Sequence, residues 1–163
     1  MIRGLHHNAY RCRDSEETRV FYEDFLGLPL ASTLDIGETK TGRKTDVLHT
    51  FYEMAEGSFL AFFEVPDMPF EFKAQHDFDL HIALEVDEPT LREMFARGKA
   101  QGIETRGIVD HGFIHSIYFR DPNGYVIELT TPTGQDGEDA EGARQTARTL
   151  LDRWQAAKGS AAG

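Results

Sequence analysis

The fold is decided by residues 79–86, DLHIALEV, and by the Asp87-Glu88-Pro89 segment that follows them. Apolar and polar side chains alternate along 79–86, as they do in a strand with one buried face. The apolar face carries Ile82, Leu84 and Val86, and the opposite face carries His81, Ala83 and Glu85. Asp and Pro favour the first turn of a helix, and Gly102 favours its end. The stretch therefore predicts a strand and then a helix that covers the strand's apolar face.

The beginning of the chain repeats this pattern. His7-x-Ala9 matches His81-x-Ala83, and Phe21 matches Phe95 at the same offset. In both halves the strand with the His-x-Ala motif is followed by a helical pattern and then by three further strand patterns. The sequence therefore predicts an α+β fold of two tandem strand–helix–strand–strand–strand (βαβββ) modules.

The predicted boundaries follow from the turn and cap residues. Strands are expected in the first module over Leu5–Cys12, Pro29–Thr33, Asp46–Tyr52 and Ser58–Val65, and later in the second over Glu104–Ile108, Ile114–Arg120 and Tyr125–Thr131. Asp14 is expected to cap the first helix. We predict one domain over 1–131 (modules at about 1–70 and 77–131), a linker over 132–142 and a C-terminal helix over 143–158. An apolar stripe on that helix favours a cover for the core or a subunit contact over a substrate lid.

The composition excludes several classes of function. The formal charge of −11 on 163 residues would repel phosphate, so no nucleic-acid or membrane partner is expected. Cys12 is the single cysteine, which excludes an internal disulfide and a thiolate zinc cluster. Because the sequence shows neither a membrane-spanning stretch nor a signal-peptide pattern, we expect a cytoplasmic protein. Any metal must bind to imidazole and carboxylate groups.

The two modules place such groups at matching positions. Strand alternation puts His7 and His81 on the face opposite the helix, and the last strand of each module carries Glu64 or Glu128. Two imidazoles with one carboxylate, His7, His81 and Glu128, are the ligand set of an open octahedral site for Fe(II) or Mn(II). A single histidine is more often a surface or hydrogen-bonded residue, but the repetition favours ligands. His6 competes with His7, yet only His7 keeps the offset.

Four motifs carry a resemblance to a known family. They are LHH at 5–7, FY and LG at 21–22 and 26–27, HIAL at 81–84 and DPNGYVIE at 121–128. With them the chain resembles the vicinal oxygen chelate superfamily, which includes glyoxalase I, fosfomycin-resistance proteins and type I extradiol dioxygenases. The resemblance covers about residues 2–131. It implies paired βαβββ modules whose mixed sheets curl around a central metal-binding cavity, with a divalent metal bound at the positions of His7, His81 and Glu128.

A finer resemblance concerns the active site of the type I extradiol dioxygenases. Val109-x-His111, Ile117-Tyr118 and Glu128 are similar to their consensus. The resemblance implies that His111 and Tyr118 steady the bound catecholate and oxygen, and that the substrate is a small aromatic molecule. These enzymes usually carry a further histidine on the last strand of the first module, where this chain has Ser58-Phe59-Leu60. His49 and His76 are candidate substitutes, although a surface position is the plainer interpretation of each.

Two other functions stay open. Glu64 as a fourth ligand would favour a glyoxalase I-like lyase or isomerase that uses Ni(II) or Zn(II), because four protein ligands leave only two octahedral positions. A metal-free, drug-sequestering protein is the second alternative. We also expect a homodimer, in which the site would combine modules from different chains.

The last hairpin is expected to connect through Pro122-Asn123-Gly124, with Gly124 at positive φ. Tyr118 would then lie opposite Glu128 and share its face.

Overall fold

The computed structural model describes residues 1–134 and 140–160. The first module consists of β1 (Tyr10–Cys12), α1 (Ser15–Arg19) with a π-helical continuation (Val20–Phe25), β2 (Leu30–Glu38), β3 (Lys44–Glu53) and β4 (Phe59–Glu64). The second consists of β5 (His81–Glu85), α2 (Glu88–Ala100), β6 (Thr105–Asp110), β7 (Ile114–Arg120) and β8 (Val126–Pro132), and α3 (Ala140–Ser160) follows.

The two modules have the same sheet topology. The strand orders are β1-β4-β3-β2 and β5-β8-β7-β6. In each sheet the first strand runs parallel to the last strand, and the remaining pairs are antiparallel. The prediction of two tandem βαβββ modules and a C-terminal helix is therefore confirmed.

The helix starts follow from the predicted caps. The Asp14 carboxylate accepts the backbone N–H of Glu17 at 2.8 Å, and Asp87 accepts that of Thr90 at 2.9 Å. β1 is shorter than predicted, and His7 joins the sheet only through an isolated bridge to Phe59. The side chain of Asn8 accepts the backbone N–H of Ala61 at 3.1 Å. A side-chain bond of this kind takes the place of a ladder bond and interrupts the strand.

The first helix joins the two modules. The Tyr22 ring lies 4.7 Å from the Phe62 ring of the first sheet, while its hydroxyl donates to Asp121 of the second module at 3.0 Å. Phe25 contacts Phe119 of the second sheet edge to face at 5.1 Å. All of these residues are buried. Each sheet therefore packs one face against a shared core that includes this helix. The opposite face of each sheet, its outer face, is directed away from that core.

Helix α3 begins at Ala140, three residues before its predicted start. Residues 135–139 of the predicted linker lie outside the described residues. Leu150, Leu151 and Trp154 are 48%, 50% and 66% exposed, so their stripe does not cover the core of this chain. The subunit contact and the lid stay predictions. In the described part of the chain, no helix combines the length and the apolar character needed to cross a membrane.

We predict that the bond between the modules contributes to stability. Tyr22→Phe should lower the free energy of unfolding by about 1–3 kcal/mol, because the buried Asp121 carboxyl loses a donor that water cannot replace. Urea unfolding would measure the change, with Tyr10→Phe as the control. Tyr10 is half-buried, and its hydroxyl has no hydrogen-bond partner in the described structure. An equal loss of stability in both variants would contradict the assignment.

Candidate metal centre

His81 and Glu128 are adjacent on the outer face of the second sheet, the face directed away from the shared core. β5 runs parallel to β8 with His81 opposite Val126, and Glu128 lies two residues further along β8. Residues two apart in a strand point to the same side. The His81 Nε2 atom is therefore 3.2 Å from Glu128 Oε2, and Glu128 is only 5% exposed.

A backbone contact orients the His81 ring. Its Nδ1 atom lies 2.7 Å from the carbonyl oxygen of Asp77. A carbonyl can only accept, so Nδ1 carries a hydrogen and Nε2 is directed at the Glu128 carboxylate. A nitrogen and a carboxylate oxygen 3.2 Å apart can share a proton or can both bind one metal ion. The pair therefore fits a divalent metal, since ligating histidines are commonly oriented by such a contact.

Tyr118 and His111 extend this group. The Tyr118 hydroxyl donates to Glu128 Oε1 at 3.2 Å and lies 3.0 Å from His111 Nε2. Burial and the nearby Glu128 carboxylate raise the pKa of the Tyr118 hydroxyl. The hydroxyl therefore keeps its proton at neutral pH and acts as a donor toward Glu128.

The hairpin between β7 and β8 places Tyr118 beside Glu128, as predicted. Tyr118 lies opposite Glu128, and Gly124 has a φ of 94°. The backbone N–H of Asp121 donates to the carbonyl of Tyr125 at 3.0 Å, which leaves residues 122–124 as the three-residue connection. Both predictions about this hairpin are confirmed.

His7 lies in an aromatic cluster on the first module. Its ring centroid is 5.6 Å from that of Phe51 and 6.2 Å from that of His49. His6 Nδ1 lies 2.7 Å from His7 Nδ1. No group of three His, Cys, Asp or Glu side chains that could hold a metal is present among the described residues. One chain therefore does not bring His7 to His81 and Glu128.

His49 occupies a more specific position than the sequence indicated. It is 5% exposed, stacks on Phe63 with 3.6 Å between centroids, and places Nδ1 2.9 Å from the carbonyl oxygen of Phe62. Burial lowers the pKa of its imidazole. The interpretation of His49 as a surface residue was wrong. The alternation of side chains along β3 could have predicted this burial, because it places His49 on the same face of the strand as Phe51.

His76 is an exposed residue, as the plainer interpretation expected. Its Nδ1 atom accepts the backbone N–H of Phe78 at 3.1 Å, and its ring lies 4.8 Å from the Phe78 ring.

Glu64 faces away from the His7 cluster. Its Oε2 atom accepts the backbone N–H of Ser15 at 2.7 Å, at the start of α1. The expected correspondence between Glu64 and Glu128 is corrected by the strand register. His7 bridges to Phe59 as His81 pairs with Val126, so the counterpart of Glu128 is Ala61, two residues after Phe59. The first module carries no carboxylate at this place.

Fold and site together define a protein of two βαβββ modules that carries candidate metal ligands on the outer faces of its sheets. The chain belongs to the Glyoxalase/Bleomycin resistance protein/Dioxygenase superfamily, whose family model matches residues 4–129.

Named relatives agree with this family. The chain is 27% identical over 144 residues to the metallothiol transferase FosB of Shouchella clausii, with 82% of this chain and 83% of that protein covered. A variant of the fosfomycin resistance protein FosX of Listeria monocytogenes, solved with Mn(II) and a dihydroxypropylphosphonic acid, is 25% identical. It superimposes with a TM-score of 0.57 over 79% of this chain and 92% of that one. A glyoxylase/bleomycin resistance protein/dioxygenase domain from Frankia, 15% identical, shares the fold with a TM-score of 0.65 over 81% and 99%.

We propose His7, His81 and Glu128 as the metal ligands and expect each alanine variant to lose the metal. An incomplete ligand shell is repaired only in part by water. Elemental analysis after loading with Mn(II) and desalting measures the occupancy.

His6→Ala and Glu64→Gln serve as controls that should retain the metal. Loss of metal in His6→Ala with retention in His7→Ala would instead move the ligand by one residue and turn the strand over.

Proposed function

We propose that the protein is a metal-dependent dioxygenase that opens a catechol-like ring beside one hydroxyl. The site is built from two copies of the chain, with His7 from one copy and His81 and Glu128 from the other. Fe(II) or Mn(II) is the expected ion, in keeping with the Mn(II) in the FosX structure. A metal held by these residues would supply positive charge to neutralise a catecholate and an open coordination site for O2.

The observation that carries this proposal is the hydrogen-bonded chain from Glu128 through Tyr118 to His111. It lies on the same face as the candidate ligands. Ring opening needs neutral donors that hold oxygen atoms of the diol and the product in place. The Tyr118 hydroxyl supplies such a donor if its proton turns from Glu128 to the bound oxygen once the carboxylate ligates the metal, and His111 lies beside it.

The position of Glu64 also favours ring opening over isomerisation. Three protein ligands leave three positions of an octahedral shell, enough for two catecholate oxygens and O2. A fourth ligand would leave two. The Glu64 carboxylate accepts the Ser15 N–H at the start of α1, and Ala61 occupies the position in the first module that corresponds to Glu128. The glyoxalase-like alternative therefore lacks its carboxylate.

His49 supplies the proton acceptor that this chemistry needs. Nδ1 donates to the Phe62 carbonyl, so Nε2 of the neutral ring is free to accept a proton from a catechol hydroxyl. His49 lies opposite Phe63 on β4 and on the same face as His7. It therefore replaces, from the neighbouring strand, the histidine that was expected on the last strand of the first module.

Both halves of the site are suited to an aromatic ring. The outer face of the second sheet contains a cleft of about 510 Å³ whose apolar wall includes Phe78, Val109 and Phe113. The first module contributes Phe51 and Phe63 around His49. Flat apolar walls with a few polar groups are typical of sites for small aromatic molecules.

The named relatives support a second candidate, thiol transfer to an epoxide antibiotic of the fosfomycin type. The charges of the cleft argue against it. A phosphonate carries up to two negative charges and needs several cationic partners. Among the described residues that line this cleft there is one arginine and no lysine, fewer cations than a doubly charged phosphonate needs.

We expect the Fe(II)-loaded protein to consume one O2 per catechol and to place both oxygen atoms in a yellow ring-opened product. Tyr118→Phe and His49→Gln should each slow turnover about tenfold or more while retaining the metal, because they remove a donor or a base rather than a ligand. An oxygen electrode and elemental analysis measure both quantities.

The same preparations would be given fosfomycin with and without a thiol. Loss of the epoxide, with no oxygen consumed by any catechol, would overturn the dioxygenase proposal in favour of the second candidate.

A further inference from the structure

Arg106 is the cation of the cleft that contains His81 and Glu128. It lies on β6 directly opposite Tyr118, and its guanidinium carbon is 5.1 Å from the centre of the Tyr118 ring. Its side chain is 51% exposed. The guanidinium therefore contacts Tyr118 beside the candidate metal site and is also accessible to solvent at the mouth of the cleft.

Asp77 holds this guanidinium in place. The Asp77 carboxylate pairs with Arg106 Nη2, and the Asp77 carbonyl accepts from His81 Nδ1 at 2.7 Å. One residue thus orients both the metal ligand and the arginine. In the described part of the chain, the Arg106 guanidinium makes no hydrogen bond other than the one to Asp77. A guanidinium has five N–H donors, so donors remain for a planar anion.

The remaining charges of the cleft leave this role to Arg106. Glu128 faces His81 and is neutralised by the metal in the proposed site, and Asp77 is already paired. An exposed ion pair by itself contributes little to stability, roughly 0–1 kcal/mol. A guanidinium at the mouth of this cleft therefore adds little to the stability of the fold. Recognition of an anion explains its position better.

The mouth also presents apolar rings beside this cation. Phe78 and Phe113, which line the same cleft, are 93% and 57% exposed. Exposed aromatic rings next to a guanidinium suit a ligand with a flat apolar body and one negative group at its edge.

We propose that the ring held in this site bears an anionic substituent, a carboxylate, which Arg106 binds at the mouth of the cleft. This inference rests on the proposed function and names its substrate class. Arg106 determines specificity, because it contacts the substituent and not the reacting carbons. A carboxylate and a guanidinium form two parallel hydrogen bonds, a geometry that a neutral substituent cannot reproduce.

The test compares two catechols that differ in one group, a carboxymethyl or a methyl substituent. Calorimetric titration under anaerobic conditions gives their affinities for the metal-loaded protein, and an oxygen electrode gives turnover. The wild type should bind the carboxymethyl compound about tenfold more tightly or better. Arg106→Gln should abolish this preference, and its affinity for the methyl compound measures any indirect effect through Tyr118 or Asp77.

Two variants control for indirect effects. Arg92→Gln removes an arginine of comparable exposure that is paired with Glu88 on α2, and it should keep the full preference. Arg106→Lys keeps the charge without the planar fork and should keep part of the preference, which also tests the site if Arg106→Gln folds poorly.

The outcomes separate the inference from the proposed function. A carboxylate preference that Arg106→Gln abolishes, with no oxygen consumed, supports the inference and refutes ring opening. Ring opening with equal affinity for the two compounds, or a preference that survives in Arg106→Gln, refutes the inference alone. Failure of both compounds to bind refutes both.

Discussion

The arrangement of the modules depends on the packing of the first helix between them, in which Tyr22 donates a buried hydrogen bond to Asp121. This packing holds the first helix in contact with both sheets, with Phe25 against Phe119 beside it. Each sheet must then turn its helix-side face inward and its other face outward. His7 lies on one outer face, and His81 with Glu128 on the other. This constraint explains why one chain carries parts of a site, and it motivates the proposal that a second copy completes it.

Much of the fold could be predicted because its signals are local. Alternation along 79–86, the cap residues Asp14 and Asp87 and the Gly124 turn each act over a few residues. The turn sets the register between β7 and β8, so the pairing of Tyr118 with Glu128 followed from its length alone. The repetition of the pattern then predicted the second module from the first.

The features that were missed depend on pairing between distant strands. Glu64 seemed equivalent to Glu128 because both end a similar triplet, but the register between β1 and β4 makes Ala61 the counterpart. His49 looked like a surface residue because its burial comes from Phe63 on the next strand. A repeat in the sequence also does not say which faces of its two copies meet. The contacts of Tyr22 and Phe25 place the faces that carry the proposed metal ligands of one chain apart.

The central claim, that each metal site is shared between two copies, is tested by mixing two inactive variants. A heterodimer of His7→Ala and Glu128→Ala has one site in which all three ligands are intact and one in which two are missing. Differently tagged chains allow this heterodimer to be purified and its metal to be counted by elemental analysis. The account predicts about one metal per heterodimer, half the content of the wild-type dimer and well above that of either parent variant. A heterodimer as empty as its parents would contradict the account, because every site would then draw its ligands from one chain.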